Sequence, residues 1–206
     1  AWFHAFDATT LFGVVKAALV GCIMTILLQS SSATLAITMS LAASGIIEFR
    51  TAAALVLGEN VGTTITAYLA SLGATTTAKR AAWGHIIFNV IGTVWFISVF
   101  PIGVRLVAMF LRHDPDTMVL DGAVETFPYI FSAIAMVHTG FNVANTLLFI
   151  PFIGIMARAI ERLLPEKGTK EEVRRLTFLD TRTVDSPSLG IIQSRKQIQV
   201  MAEATE

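Results

Sequence analysis

Residues 17–47 read AALVGCIMTILLQSSSATLAITMSLAASGII, without a single Asp, Glu, Lys, Arg or His. An uncharged run of this length belongs in a bilayer, because about 20 apolar residues already span the hydrocarbon core as a helix. Its centre is the polar cluster Gln29-Ser30-Ser31-Ser32. Hydrogen-bonding side chains at membrane depth need partners or a polar cavity, so this cluster is where a functional site is expected. As one straight helix the run would measure about 45 Å against a core of about 30 Å. Split at the cluster, it makes two arms of about 12 to 15 residues, each fit for half a bilayer. The reading is a re-entrant helical hairpin with its tip near the midplane; a single tilted helix is the alternative.

The rest of the 206-residue chain fits a membrane protein. Apolar residues make up 54% and charged residues only 15%, where soluble domains carry about a quarter charged residues. The formal net charge of zero points to no nucleic-acid partner. Basic residues gather late: Arg158, Arg162, Lys167, Lys170, Arg174, Arg175, Arg182, Arg195 and Lys196 all lie in the last quarter. The chain therefore divides into a membrane part, 1–160, and a polar tail, 161–206. The lone Cys22 reads as a small buried hydrophobe. The chain shows no cleavable signal-peptide pattern and no starting Met, which fits a longer protein entered partway.

Between Thr51 and Ala78 the only charged residue is Glu59, within Gly58-Glu59-Asn60-Val61-Gly62-Thr63-Thr64 and just before Thr66. Two glycines would each cost about 1 kcal/mol in a helix interior, so the stretch reads as a broken transmembrane helix with an unwound turn. Such backbone is tolerated at membrane depth where it lines a polar cavity. Two further apolar transmembrane segments follow, Ala81–Leu111 with Pro101 and Phe127–Ala157 with Pro151, separated by an Asp-rich loop. Lys79 and Arg80 before the first, and Arg158 and Arg162 after the second, place those ends in the cytoplasm by the positive-inside rule. The Asp-rich loop, Glu48 and Arg50 then face outward, and the hairpin enters from the outer face.

A short repeat, His85-x-x-Phe88-Asn89 and His138-x-x-Phe141-Asn142, puts His and Asn on one helical face. Interhelical packing is the favoured role and lining of a polar cavity the other. Half-helices that meet near the midplane offer N–H groups to an anion, while carbonyl and hydroxyl oxygens suit a small cation such as Na⁺. Ser30, Ser31, Ser32, Asn60, Thr63, Thr64 and Thr66 can donate to phosphate-like oxygens, and Gln29 with the threonines can coordinate a cation. Glu59 is the costliest residue here. It either tunes cation binding and pH dependence or reaches water at a helix mouth.

Leu28-Gln29-Ser30-Ser31-Ser32-Ala33-Thr34, then Gly58-x-Asn60-Val61-Gly62-Thr63-Thr64, then Lys79-Arg80-Ala81-Ala82 and His85-x-x-Phe88-Asn89, resembles the type II sodium-phosphate cotransporter family over residues 10–160. The resemblance implies a non-enzymatic symporter in the inner (cytoplasmic) membrane that couples Na⁺ entry to phosphate uptake. It needs no cofactor, and its partners are phosphate, Na⁺ and the lipid bilayer. Carried over by position, Ser30, Ser31, Ser32 and Asn60 are phosphate candidates. Gln29, Ser30, Thr63, Thr64 and Thr66 are sodium candidates, with sodium the only metal, and His85, Asn89, His138 and Asn142 are polar cavity or packing residues. The family commonly has Ala or Ser where this chain has Glu59, which leaves the ion stoichiometry open.

The family is built from two inverted repeats, and this chain contains one Gln-Ser-Ser-Ser hairpin. The expected fold is thus an all-α half of an inverted-repeat transporter. Either the other half lies upstream, which we favour, or a second copy completes the site. Residues 174–206, with Ser186-Pro187-Ser188 as a helix start, are similar to the beginning of a PhoU-like cytoplasmic domain. A sodium-coupled carrier of sulfate or a carboxylate is an alternative. A more distant one, an intramembrane serine protease, would need a Ser on a tight turn beside His85 or His138, and the three adjacent serines argue against it.

Overall fold

The computed structural model describes residues 8–121, 124–165 and 195. Helix α1 (Leu11–Leu28) is followed by α2 (Ser31–Ala43), α3 (Phe49–Ser71), α4 (Thr76–Ser98) and α5 (Phe100–Leu111). Strands β1 (Val119–Asp121) and β2 (Val124–Thr126) precede α6 (Ile130–Phe149), a 3-10 turn over Ile150–Phe152, and α7 (Ile153–Leu163). The chain divides into two units, Ala1–Pro165 and Glu166–Glu206, and all of these elements belong to the first. The expected PhoU-like helix start at Ser186 lies outside the described residues.

The polar cluster makes the first break. Gln29 closes α1 in the left-handed region, φ 52°, and its N–H returns to the Thr25 carbonyl. Ser30 then caps α2, its hydroxyl accepting from Ala33 N at 3.3 Å. Two helices joined by this turn replace the single tilted helix. Helix α1 starts at Leu11, where the Thr10 hydroxyl accepts from Gly13 N, so it has 18 residues. The first arm is longer than the sequence suggests.

Helix α3 is unbroken for 23 residues, and this corrects the expected broken transmembrane helix. Gly58 and Gly62 are four apart and face α1, where a Cβ at 58 would overlap the Ala18 carbonyl. One at 62 would lie 2.5 Å from Cys22 O and 2.7 Å from Thr25 Cβ. Gly21 answers from α1, with no room for a Cβ beside Leu55. The glycines let two backbones touch rather than unwind one, as small residues four apart do in membrane helix pairs. These contacts set α1 parallel to α3, with Thr25 beside Gly62. The Gln29–Ser30 turn therefore falls about level with Thr66, about 9 Å past the middle of α3.

Residues 51–60 of α3 are all buried, because α1, α2, α4 and α6 surround it. Thr93 of α4 donates to Leu57 O at 3.2 Å, and Phe96 meets Phe141 edge-on at 5.4 Å. The third and fourth apolar segments both divide near their prolines, Pro101 in the first turn of α5 and Pro151 in the 3-10 turn. Pro lacks an N–H and is accepted where a helix starts. The fold is not purely helical. Val119–Asp121 pairs with Val124–Thr126 as an antiparallel two-stranded ribbon, and Val119, Val124 and Thr126 are of the β-branched type that favours strands.

At one end, Phe49 N at the start of α3 donates to Asp116 Oδ1 at 2.7 Å. At the other, Arg80 Nε donates to Leu164 O at 3.0 Å, bringing the starts of α4 and the end of α7 together. Helix α1, helix α4 and the run Ile130–Leu163 are long and apolar enough to cross a membrane. Leu11, Phe12, Leu19, Ile23 and Leu27 leave an exposed apolar face on α1, as a multi-pass membrane protein would.

Candidate functional site

A cavity of about 520 Å³ opens between the first turn of α2, the middle of α3, and α4 and α6. Ser31 and Ser32 line it from α2, next to the first backbone N–H groups of that helix. Those groups have no partner within the helix and carry its positive dipole end. Helix α3 contributes Glu59 and Asn60, and Thr63 about one turn further along the same side. His85 and Asn89 line it from α4, and His138 and Asn142 from α6. Both copies of the His-x-x-Phe-Asn repeat thus reach the same cavity.

The repeat also packs helices. Asn142 Nδ2 donates to Asn60 Oδ1 at 3.2 Å and to its own His138 O at 2.8 Å, tying α6 to α3. Asn60 Nδ2 in turn donates to Val56 O at 2.8 Å, and Asn89 Nδ2 to His85 O at 3.0 Å. Packing and cavity lining go together here: Asn89 is aimed by one bond to its own helix, while Asn60 and Asn142 are also bonded to each other across the cavity wall. Behind them, Asn145 is fully buried. It accepts from Trp95 Nε1 at 2.9 Å and donates to Phe88 O at 3.3 Å, fixing α6 against α4.

Glu59 is 3% exposed, and its Oε1 accepts from Thr38 Oγ1 of α2 at 2.6 Å. This bond connects the hairpin to α3 beside the cavity. Thr38 was not visible as a partner in the sequence, although Ser31, Thr34 and Thr38 follow helical spacing and form a polar stripe on α2. The cavity wall also takes in Leu35, Phe88, Thr139 and Val143. No group of three His, Cys, Asp or Glu side chains gathers to hold a metal among the described residues, so a cation here would rest on Glu59 and neutral oxygens.

The remaining expected residues are placed elsewhere. Gln29 is exposed and forms the turn, and Ser30 is spent on capping α2. Because α3 stays helical, Thr64 is turned about 100° away from Thr63, while Thr66 lies near the Thr63 face but almost a turn further along. Thr63 faces the cavity, Thr64 lines a separate pocket with Cys22, Ile26 and Tyr68, and Thr66 is exposed and donates to Thr63 O. The cavity gathers Ser31, Ser32, Glu59, Asn60, Thr63, His85, Asn89, His138 and Asn142, and not Gln29, Ser30, Thr64 or Thr66.

Comparisons with known proteins bear on this arrangement. A Bacillus subtilis (strain 168) protein called uncharacterized protein YqeW is 36% identical over 153 residues, covering 74% of this chain and 44% of its own length. A Salmonella typhimurium protein called putative inorganic phosphate export protein YjbB is 27% identical over 190 residues, 92% of this chain and 32% of its own. The sodium-dependent phosphate transport protein 2A of Ovis aries is 35% identical over 89 residues, 40% of this chain and 14% of its own. The chain thus spans less than half the length of these relatives. No solved structure matches it. The model of the Na⁺/Pi-cotransporter family matches residues 8–164, and the chain belongs to that family.

Proposed function

We propose that the protein carries inorganic phosphate across a membrane together with Na⁺, and that the cavity between α2, α3, α4 and α6 holds both. The observation that carries this reading is the pairing of unlike groups in one space. Ser31, Ser32 and the first turn of α2 present donors to an anion, while Glu59 faces the same 520 Å³. A phosphate beside an ionised Glu59 in a low-dielectric site would be repelled strongly. A cation bound between them removes the repulsion, which makes anion binding depend on sodium. In this reading Ser31, Ser32 and Asn60 hold phosphate, Thr63 and Glu59 hold sodium, and His85, Asn89, His138 and Asn142 complete the wall.

The hairpin of α1 and α2 is a re-entrant element, with both outer ends on the side where α3 begins. Lys79, Arg80, Arg158 and Arg162 set the opposite ends in the cytoplasm, and with them the C-terminal tail. The protein sits in the inner membrane, and a second repeat, upstream or from another copy, supplies the facing half of the site. It acts as a carrier rather than an enzyme, by alternating access.

Reconstitution of the full-length gene product in proteoliposomes tests this. Radiolabelled phosphate flux is measured in both directions with sodium or choline gradients, and with sulfate as competitor. Sodium-driven phosphate uptake that sulfate does not inhibit is expected. Flux indifferent to sodium, or outward flux only, would replace the proposal with export, the role named for the Salmonella relative.

A further inference from the structure

A larger cavity, about 920 Å³, opens at the end of the molecule where α3 begins. Its walls are the first turn of α3, helix α5 and the loop that follows, and three arginines line it: Arg50, Arg105 and Arg112. The Nε of Arg50 is buried with no hydrogen-bond partner, the sole such side-chain nitrogen or oxygen among the described residues. Buried donors are nearly always paired, and leaving a charged one unpaired is costlier than a neutral one. With this nitrogen enclosed by protein, it is the rest of the Arg50 side chain that lines the cavity.

The aspartates on the wall have other uses. Asp116 accepts from Phe49 N, closing the start of α3, and Asp114 Oδ1 accepts from Asp116 N at 3.1 Å, folding the loop. Beside Arg105 and Arg112 the wall is apolar, with Ile102, Leu106 and Met109 of α5 exposed. Guanidinium groups bind phosphate oxygens through paired N–H bonds. A free phosphate would have no use for the exposed apolar helix beside them, whereas acyl chains would lie along it.

We propose that this cavity binds the phosphate head group of an anionic phospholipid, held by Arg50, Arg105 and Arg112, with its acyl chains along α5. The site shares no lining residue with the cavity of Ser31 and Asn60 and does not depend on what that cavity carries.

The test uses the full-length gene product in nanodiscs of phosphatidylcholine with a minority of phosphatidylglycerol. Lipid retained after detergent extraction is counted by native mass spectrometry. The wild type is expected to retain phosphatidylglycerol in preference. Arg105→Gln and Arg112→Gln, both at exposed positions, should each lower that retention about fivefold, and lysine at both positions, which keeps the charge but not the paired N–H bonds, should preserve only part of it. Arg50→Gln should lower it further while circular dichroism stays unchanged. Excess inorganic phosphate should leave the bound lipid in place. Equal retention by the wild type and the Arg105→Gln/Arg112→Gln double variant would overturn the proposal. So would displacement of the lipid by inorganic phosphate, which would assign the site to the free anion.

Discussion

Gly58→Ala is expected to push α1 off α3. A methyl group at 58 would overlap the Ala18 carbonyl and sit 2.9 Å from Ala18 Cα, where carbon atoms ordinarily rest about 3.5–4.0 Å apart. Both obstacles are backbone, so no rotamer change relieves the clash and the helix itself must move. Gly21 and Gly62 sit in the same seam, and that movement opens their contacts too. Overpacking of this kind costs about 1–3 kcal/mol, whereas Ala in place of Gly favours a helix interior by about 1 kcal/mol. A net loss of up to about 2 kcal/mol follows. Gly140 of α6 provides the control, because nothing lies within 4 Å of the place its Cβ would take. Gly140→Ala should keep only the propensity gain. Reversible unfolding in mixed micelles, followed by circular dichroism, separates the two: the midpoint should fall for Gly58→Ala and rise for Gly140→Ala. Equal shifts would refute the close seam and return Gly58–Thr66 to the unwound turn read from the sequence.

Thr38→Val removes the 2.6 Å bond to Glu59 and should cost about 1–3 kcal/mol in unfolding free energy, as loss of a buried partner does. Thr38→Ser should restore both the midpoint and the sodium concentration for half-maximal flux; an unaltered Thr38→Val protein would show the bond to be idle. Asn145→Leu leaves Trp95 Nε1 without its acceptor and should cost a similar amount, checked by the same midpoint. Loss of solvent around its carboxyl raises Asp116 above the ordinary carboxylate range, against the Phe49 N–H and with help from the Asp114 and Glu48 charges. A carboxyl raised in the fold stabilises it when protonated, so that contribution is complete below the ordinary Asp range and lost as pH rises through the raised value. Asp116→Asn should therefore flatten the midpoint between those two pH values, and an unchanged slope would contradict the cause given.

How far the sequence is legible depends on whether a residue's role is local. Gln29 and Ser30 act on their own neighbours, as a left-handed cap and an N-cap, so the hairpin break can be read from the run itself. The His-x-x-Phe-Asn repeat is periodic, and periodicity correctly placed each His and Asn on one face. Gly58 and Gly62 were misread because a spacing of four suits an unwound turn and a close helix seam equally. The deciding signal was on another helix, in Ala17, Gly21 and Thr25, small residues four apart. The same reading set Thr63, Thr64 and Thr66 side by side, whereas along the intact helix Thr63 lines the cavity, Thr64 a second pocket and Thr66 an exposed position. Thr38 and Asn145 are tertiary partners, and nothing near them in the chain announces Glu59 or Trp95.

The most direct measurement is equilibrium binding of radiolabelled phosphate to the purified full-length gene product, in sodium and in choline. The account predicts binding in sodium and little in choline. It predicts a loss of about tenfold or more for Ser31→Ala or Asn60→Ala, since a hydrogen bond to a charged group contributes about 1.5–3 kcal/mol, and a weakened sodium requirement for Glu59→Gln. Phosphate binding equal in both salts, or unchanged by all three substitutions, would contradict it.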